Sequence, residues 1–514
     1  MTQVPIEVIH DEARTPPSLA ARLAQSIALA TFACCLGGIG IWDSCWRDDP
    51  LADARAQVLA TADRLAPDID RAWLDESPPP LPRRAVSAEA LRAWARLPQL
   101  MFLAEINETL LRSLWQPGKG LSQILGPNAP REFRVFSTPD GSPFPRFRYP
   151  PNTTLPDGLT TNAFGFRGPQ LALDKPPRTV RIAFVGASAI ADNHYFPWSF
   201  PELVAHWLAL WAADTGRDVR FEIINAGRES VTSQDIRQIV ELEVLPLAVD
   251  YVVYYEGQNQ FAPNSIARAV EVDGDYRLGE PPADLVLDLA TADAERPHWL
   301  DRFCRDVESA RRLRRLLGIW SNLPEPRKPT QRIRLPAGID PDDLGEQQAR
   351  RLLELAAILA DLDAIDRACK AADARLVVCS FDRAVQDGMQ LDLAAGHSLY
   401  RQLNREFWPL SYATVERFAA LQNAGFAAWA RAHDAPFLDI AAGMPKEPRL
   451  FSDMVHTTQL GSRLRGWLMF AGLVPLLTAD LEAGRVPVPD TAISAAHPFL
   501  GPARRITAAE LDGK

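Results

Sequence analysis

The chain has 514 residues, is 47% hydrophobic and 23% charged, and carries a formal net charge of -10, a composition that buries a large core with a second, smaller unit and excludes a disordered protein. Its one compact basic cluster, Arg311, Arg312, Arg314 and Arg315, reads as the solvated face of a helix, and the acidic balance excludes a nucleic-acid partner, because phosphate binding needs a concentrated basic surface. The six cysteines, at 34, 35, 45, 304, 369 and 379, fit neither a disulfide framework nor a metal-ligand spacing, so no metal or cofactor is expected.

Residues 1–22 form an N-terminal tail, and the next 20 residues, 23–42 (LAQSIALATFACCLGGIGIW), carry no charge. As a helix they are long enough to cross ~30 Å of hydrocarbon, so a transmembrane helix or signal anchor is expected there, with a cleaved signal peptide, a lipoprotein site at Cys34 and, given Gly37, Gly38 and Gly40, an ordinary buried helix as rival readings. Arg14 and Arg22 before the span balance Arg47 and Arg55 after it. Arg22 abuts the span and tilts the orientation toward an inside N-terminus and a body outside the cytoplasmic membrane.

Residues 51–130 read as a helical stalk or cap, with Ala52 to Leu65 and Ala88 to Trp115 separated by the break at Pro78 to Pro82. From 131 to 177, frequent prolines and glycines and the pairs Phe133, Val135 and Phe144, Phe147 suggest short hairpins leading into a new domain. That domain, 178–480, repeats an order of apolar strand and helix. The strands are Val180 to Val185, Val219 to Asn225, Asp250 to Glu256, Arg375 to Phe381 and Pro436 to Ile440; the helices are Phe200 to Ala213, Ser233 to Leu245, Gly345 to Ala372 and Ala413 to His433. Continuous apolar strands alternating with helices imply an α/β fold, a five-stranded parallel sheet covered on both faces in a flavodoxin-like three-layer α/β/α sandwich. Residues 261–344 read as an insertion and 481–514 as a C-terminal tail.

Ligands of such sheets bind outside the carboxyl ends of the strands. Three consecutive strands deliver small or polar groups to that edge: Gly186, Ala187, Ser188, then Asn225, Ala226, Gly227, then Gly257, Gln258, Asn259. Acyl transfer through serine needs a nucleophile, a base and donors aimed at the developing oxyanion. Ser188 would attack, and its own N–H, the N–H of Gly227 and the side-chain amide of Asn259 would form the oxyanion hole, with glycine at 227 sparing the approach of substrate. The base comes late in the chain, where Asp453, Met454, Val455, His456 contains the one histidine of eight with an aspartate three residues before it. That spacing lets the carboxylate hold the imidazole's tautomer.

The order G-x-S, N-x-G, G-x-N, D-x-x-H over residues 186–456 resembles the SGNH/GDSL hydrolase superfamily, and NAFGFRG at 162–168 and YYEGQNQF at 254–261 resemble its membrane-anchored bacterial members. The resemblance implies Ser188 as nucleophile, His456 as base, Asp453 as its orienting acid, and Gly227 and Asn259 as oxyanion donors. It also implies action on acyl or acetyl esters outside the cytoplasm, often of carbohydrate, which would make the chain a single-pass inner-membrane esterase with a periplasmic catalytic domain. The pattern departs from the family at Ala187 and Gln260, where acidic residues are usual, and Ile190 stands where an α/β-hydrolase would have its second glycine. An O-acyltransferase using the same acyl-enzyme and a silent envelope subunit are the alternatives. Around the core motifs, Asp192 and His194 read as a solvated loop, Tyr195, Phe196 and Trp198 as packing or site-lining aromatics, and Arg167 as an anchor of its hairpin to the sheet; the role of Glu256 stays open.

Overall fold

Period-two alternation in the first long apolar run places Val180, Ile182 and Phe184 in one hydrophobic cluster and Ala183 and Val185 in another, both fully buried. This is the signature of a strand covered on both faces. The computed structural model describes residues 50–79, 132–136, 152, 160–192, 198–228, 231–263, 266, 340–388, 403, 406–488 and 503–507, together with residue 27. Two compact units divide the chain, residues 1–49 with 296–320 and residues 50–295 with 321–514, and the second holds the sheet.

In chain order the elements are α1 (Pro50–Leu65), β1 (Glu132–Phe136), β2 (Thr179–Gly186), α2 (Ser188–Ala191), α3 (Phe200–Asp214), β3 (Arg220–Asn225), α4 (Ser233–Ile239), β4 (Tyr251–Tyr255), α5 (Glu346–Leu352), α6 (Leu355–Ala371), β5 (Arg375–Cys379), α7 (Tyr412–Ala432), β6 (Phe437–Leu438), α8 (Ile440–Gly443), α9 (Gln459–Glu482) and β7 (Ala503–Thr507). Strands β2 to β6 form a parallel five-stranded sheet, as expected above for a flavodoxin-like sandwich, and run in the order β3-β2-β4-β5-β6. Helices α4, α6 and α7 pack on one face, and α1, α3 and α9 on the other. Chain direction across the sheet reverses between β2 and β4, which opens a crevice at their carboxyl ends.

The helix starts are written in their caps. Ser199 and Glu202 form a capping box for α3, as Thr232 and Asp235 do for α4, and the Thr458 side chain caps α9. The run 345–372, read as one helix, is two: Glu354 sits in the left-handed region (φ 48°) between α5 and α6. Similarly, 233–245 leaves the α conformation after Ile239 for a π turn over Val240–Val244.

Three segments bear on the domain layout. Residues 50–75, the first part of the region read as a stalk or cap, lie in the outer helical layer of the sheet unit: Val58, Ala62 and Leu74 join its core, and Trp207 Nε1 donates to the Trp73 carbonyl at 2.6 Å. Strand β1, expected in a local hairpin, pairs antiparallel with β7 near the chain's end. Of 23–42 only Ile27 is described, helical and exposed, so the membrane-span expectation lies outside the described residues, as does nearly all of the 261–344 insertion. Among the described residues one helix, α9, is long and apolar enough to cross a membrane, and 67% of its most apolar window is buried. Trp467 and Phe470 of α9 interlock there with Trp207 of α3.

Candidate active site

Strand β2 runs out at Gly186, and the chain turns at once into α2, whose first residue is the half-buried Ser188. The turn is tight because α2 lies against the neighbouring strand ends. A Cβ on Gly186 would stand 2.2 Å from the Tyr255 carbonyl oxygen and 2.6 Å from Ile190. Asp192 closes α2 in the left-handed region (φ 45°). It is buried rather than in a solvated loop: its carboxylate accepts from Phe200 N–H at 3.0 Å and from the Ser462 hydroxyl. Burial pushes that carboxyl up, against the pull of Ser462, Arg465 and Arg167. Arg167 anchors its loop as expected, donating to the carbonyls of Ala191 and Asp192 at 3.1 and 2.9 Å and bridging to β3 at Asn225. Trp198 packs against the core from a half-buried position, while His194, Tyr195 and Phe196 lie outside the described residues.

Asn225, at the end of β3, braces the turn that carries Ser188. Its Nδ2 donates to the Ile190 carbonyl at 2.9 Å and to Ser199 Oγ at 3.1 Å, and its Oδ1 accepts the N–H of Gly227 at 3.1 Å. The amide of Gly227 is therefore directed at Asn225, not held open for an oxyanion as the sequence suggested. Glycine is required at 227 for a different reason too. A Cβ there would stand 2.3 Å from the Ala191 nitrogen and 2.6 Å from Ile190 Cγ2, so the crowding is with α2.

The turn after β4 carries Asn259. Its N–H and that of Gln258 donate to Glu256 Oε1 at 2.9 and 2.7 Å, and its Nδ2 donates to the Val231 carbonyl at 2.8 Å. A primary amide has two hydrogens, and the second can meet a ligand at the sheet edge. Glu256 thus organises the turn; burial pushes its carboxyl up, partly offset by those backbone N–H groups. Gln260 also has a job: its Oε1 accepts from Ser233 N–H at 2.9 Å at the start of α4. At the other departure from the family pattern, Ala187 is buried.

The late segment folds into a small loop pinned by the Phe451 and Thr457 bridge. Asp453 Oδ1 accepts from the N–H groups of Val455 and His456 at 2.9 and 2.7 Å, its Oδ2 is 2.5 Å from His456 Nδ1, and His456 Nε2 is 2.7 Å from Ser188 Oγ. Residues 265 and more positions apart in the chain are thus brought into one hydrogen-bonded line, since the serine and histidine contact spans 268 positions. A proton on Nδ1, facing the carboxylate, leaves Nε2 to accept from the serine hydroxyl. Burial pushes the Asp453 carboxyl up, but the ring hydrogen bond, the charge His456 carries when protonated and the two backbone donors outweigh it and hold the carboxyl below its ordinary range.

Beneath these loops lies a charged layer that the sequence reading passed over. Asp382 pairs with Arg465 at 3.0 Å, both fully buried, and accepts from the Tyr255 hydroxyl; Arg465 also donates to the Val455 carbonyl at 2.9 Å. Arg383 donates to Gln258 Oε1 and Gln422 Oε1, each at 2.8 Å, and to the Gly257 carbonyl. The signal was present as two adjacent charges at 382 and 383, separated by two residues from the end of the apolar strand Arg375–Cys379, a place where unpaired charge is costly. Among the described residues no group of three His, Cys, Asp or Glu side chains is placed to hold a metal.

No family model matches the sequence, and no curated protein matches it. Solved structures do. The chain is similar to a GDSL-like lipase of Bacteroides thetaiotaomicron (13% identity over 60% of this chain and 93% of that one, TM-score 0.29). It is likewise similar to a lipase/acylhydrolase of Enterococcus faecalis (15%, 58% and 96%, TM-score 0.30) and to an acetylxylan esterase of Geobacillus stearothermophilus (12%, 57% and 94%, TM-score 0.29).

Proposed function

We propose that this chain is a serine ester hydrolase of the SGNH type, working through Ser188, His456 and Asp453. The observation that carries the reading is the line from carboxylate to imidazole to hydroxyl, 2.5 Å and then 2.7 Å, because those are the contacts a nucleophile, its base and the base's orienter must make. Ser188 Oγ attacks the ester carbonyl as its proton passes to His456 Nε2. The tetrahedral oxyanion is met by the Ser188 N–H, at the open start of α2, and by the Asn259 amide. His456 then returns the proton to the departing alkoxide, which leaves as the alcohol. Water, deprotonated by the same imidazole, attacks the acyl-enzyme and releases the acid, restoring Ser188.

The substrate class, acyl or acetyl esters of extracytoplasmic carbohydrate or lipid type, and the attachment to the inner membrane through 23–42 rest on the motif resemblance and on the uncharged stretch. The test uses the full-length chain, a short-chain aryl ester and a phosphonate label. Wild type should hydrolyse the ester and take the label at Ser188, while Ser188→Ala should lose the label and on the order of a thousandfold or more in turnover. A wild type that is inert toward esters and unlabelled at Ser188 would leave a binding subunit as the remaining reading. Product analysis with a sugar acceptor present separates hydrolysis from transfer.

A further inference from the structure

The turn that carries Asn259 is gripped from both sides. Glu256 takes its N–H groups, at Gln258 and Asn259. Its acceptors, the Gly257 carbonyl and Gln258 Oε1, are taken by Arg383, whose third acceptor is Gln422 Oε1 on α7. The guanidinium is fully buried, lying 5.4 Å over the Phe261 ring and 5.5 Å over the Phe381 ring. Its neighbours in the chain reach the opposite loop: Asp382 through Arg465 to the Val455 carbonyl, and Ala384 N–H directly to the Met454 carbonyl at 2.8 Å. Residues 382–384 therefore touch both the turn bearing the oxyanion amide and the loop bearing Asp453 and His456.

Stability alone does not account for a cation in this place, since buried ionic groups are commonly matched or bettered by apolar residues of similar volume, even where, as here, the Glu256 and Asp382 carboxylates lie near enough to favour the charge. What a guanidinium adds is a planar set of donors that fixes several acceptors at once. We propose that Arg383 is a positioning residue that aims the Asn259 amide at the oxyanion, with Asp382 and Ala384 tying the same segment to the base loop. The inference rests on the esterase reading above.

The experiment is a double-mutant cycle in the full-length chain, with kcat and KM measured on an aryl ester. Losing one oxyanion donor costs roughly 10² to 10³ in kcat, which sets the ceiling for misdirecting it. Arg383→Met should lower kcat about ten- to hundredfold with KM changed less than about threefold. In an Asn259→Ala background the same change should cost less than about threefold, because the group it acts through is gone. Gln258→Met, which removes an acceptor from the turn side, should show the same dependence on Asn259 and carries the test should Arg383→Met fail to fold. A wild-type kcat in both folded variants, or a full loss that persists without Asn259, overturns the proposal. Phosphonate labelling of wild type at Ser188 reports on the esterase reading by itself: a wild type that labels while these variants keep full turnover sinks the positioning role alone, and one that neither labels nor hydrolyses sinks both.

Discussion

Replacing Asp453 by asparagine isolates the carboxylate's hold on the imidazole from its hold on the loop. Oδ1 accepts two backbone N–H groups, from Val455 and His456, and an asparagine carbonyl can keep both. At the position of Oδ2, 2.5 Å from His456 Nδ1, the variant presents an NH2 group. Nδ1 must then accept, so the ring proton moves to Nε2 and points at Ser188 Oγ across 2.7 Å. An imidazole in that tautomer donates to the hydroxyl and cannot take its proton. In serine triads this swap costs about 10⁴ in turnover, or roughly 5.4 kcal/mol at 1.36 kcal/mol per decade. Here the side chains of His456 and Asp453 are 14% and 17% exposed, so water eases the alternative arrangement and the expected loss is about 10³ to 10⁴. Steady-state aryl ester hydrolysis reads the loss, and urea unfolding, expected to shift by less than about 1 kcal/mol, checks the loop. A folded Asp453→Asn variant retaining a tenth or more of wild-type turnover would refute the argument that this carboxylate sets the tautomer.

Gly227→Ala should lower turnover by about 10² or more, because its methyl group would sit 2.3 Å from the Ala191 nitrogen and displace α2 with its serine, and misplacement of about 1 Å has that cost; unchanged turnover would show that α2 is not held by this contact. Glu256→Gln bears on pH dependence. Burial raises the Glu256 carboxyl in the folded chain, so from about pH 4.3, its unfolded value, up to its raised folded value the native state binds more protons than the unfolded one and wild-type stability falls as pH rises. Glutamine removes that slope while keeping an acceptor for the turn. The urea midpoint of the variant should therefore gain on wild type across that window and run parallel above it, and a difference that stays constant from pH 4 to 7 would contradict the raised carboxyl.

The strands were legible because a doubly covered strand needs apolar residues on both sides, and Val180 to Val185 and Asp250 to Glu256 supply them. Helix α9 was not, since it is apolar nearly all round, contains Pro475 and lacks the one-sided stripe that marks a surface helix. The split between α5 and α6 escaped for a related reason: Leu353 and Glu354 continue the helical pattern, and nothing in their side chains announces the left-handed turn at Glu354. Within the site, the pairing of Asp453 with His456 was readable as a local spacing. Arg383 and Arg465 were not, because their partners lie 125 and 83 positions away and only the closed sheet brings them together.

Gly186 and Gly227 show why the motif letters are as informative as they are. Each stands where a neighbouring backbone passes within 2.2 to 2.3 Å of the place a Cβ would occupy, so the glycines encode the docking of α2 between β2, β3 and β4. Asn225 completes that docking by holding the Ile190 carbonyl and the Gly227 N–H together. The short helix starting at Ser188 meets the N–H groups of Ile190 and Ala191 with the Ala187 carbonyl and leaves those of Ser188 and Ala189 unmet by its own turns, at the carboxyl ends of the strands it is wedged among. The glycines of the motif therefore act by making one close contact possible, and the choice of substrate must be written elsewhere, in side chains that line the approach to Ser188 and not in the letters that hold it.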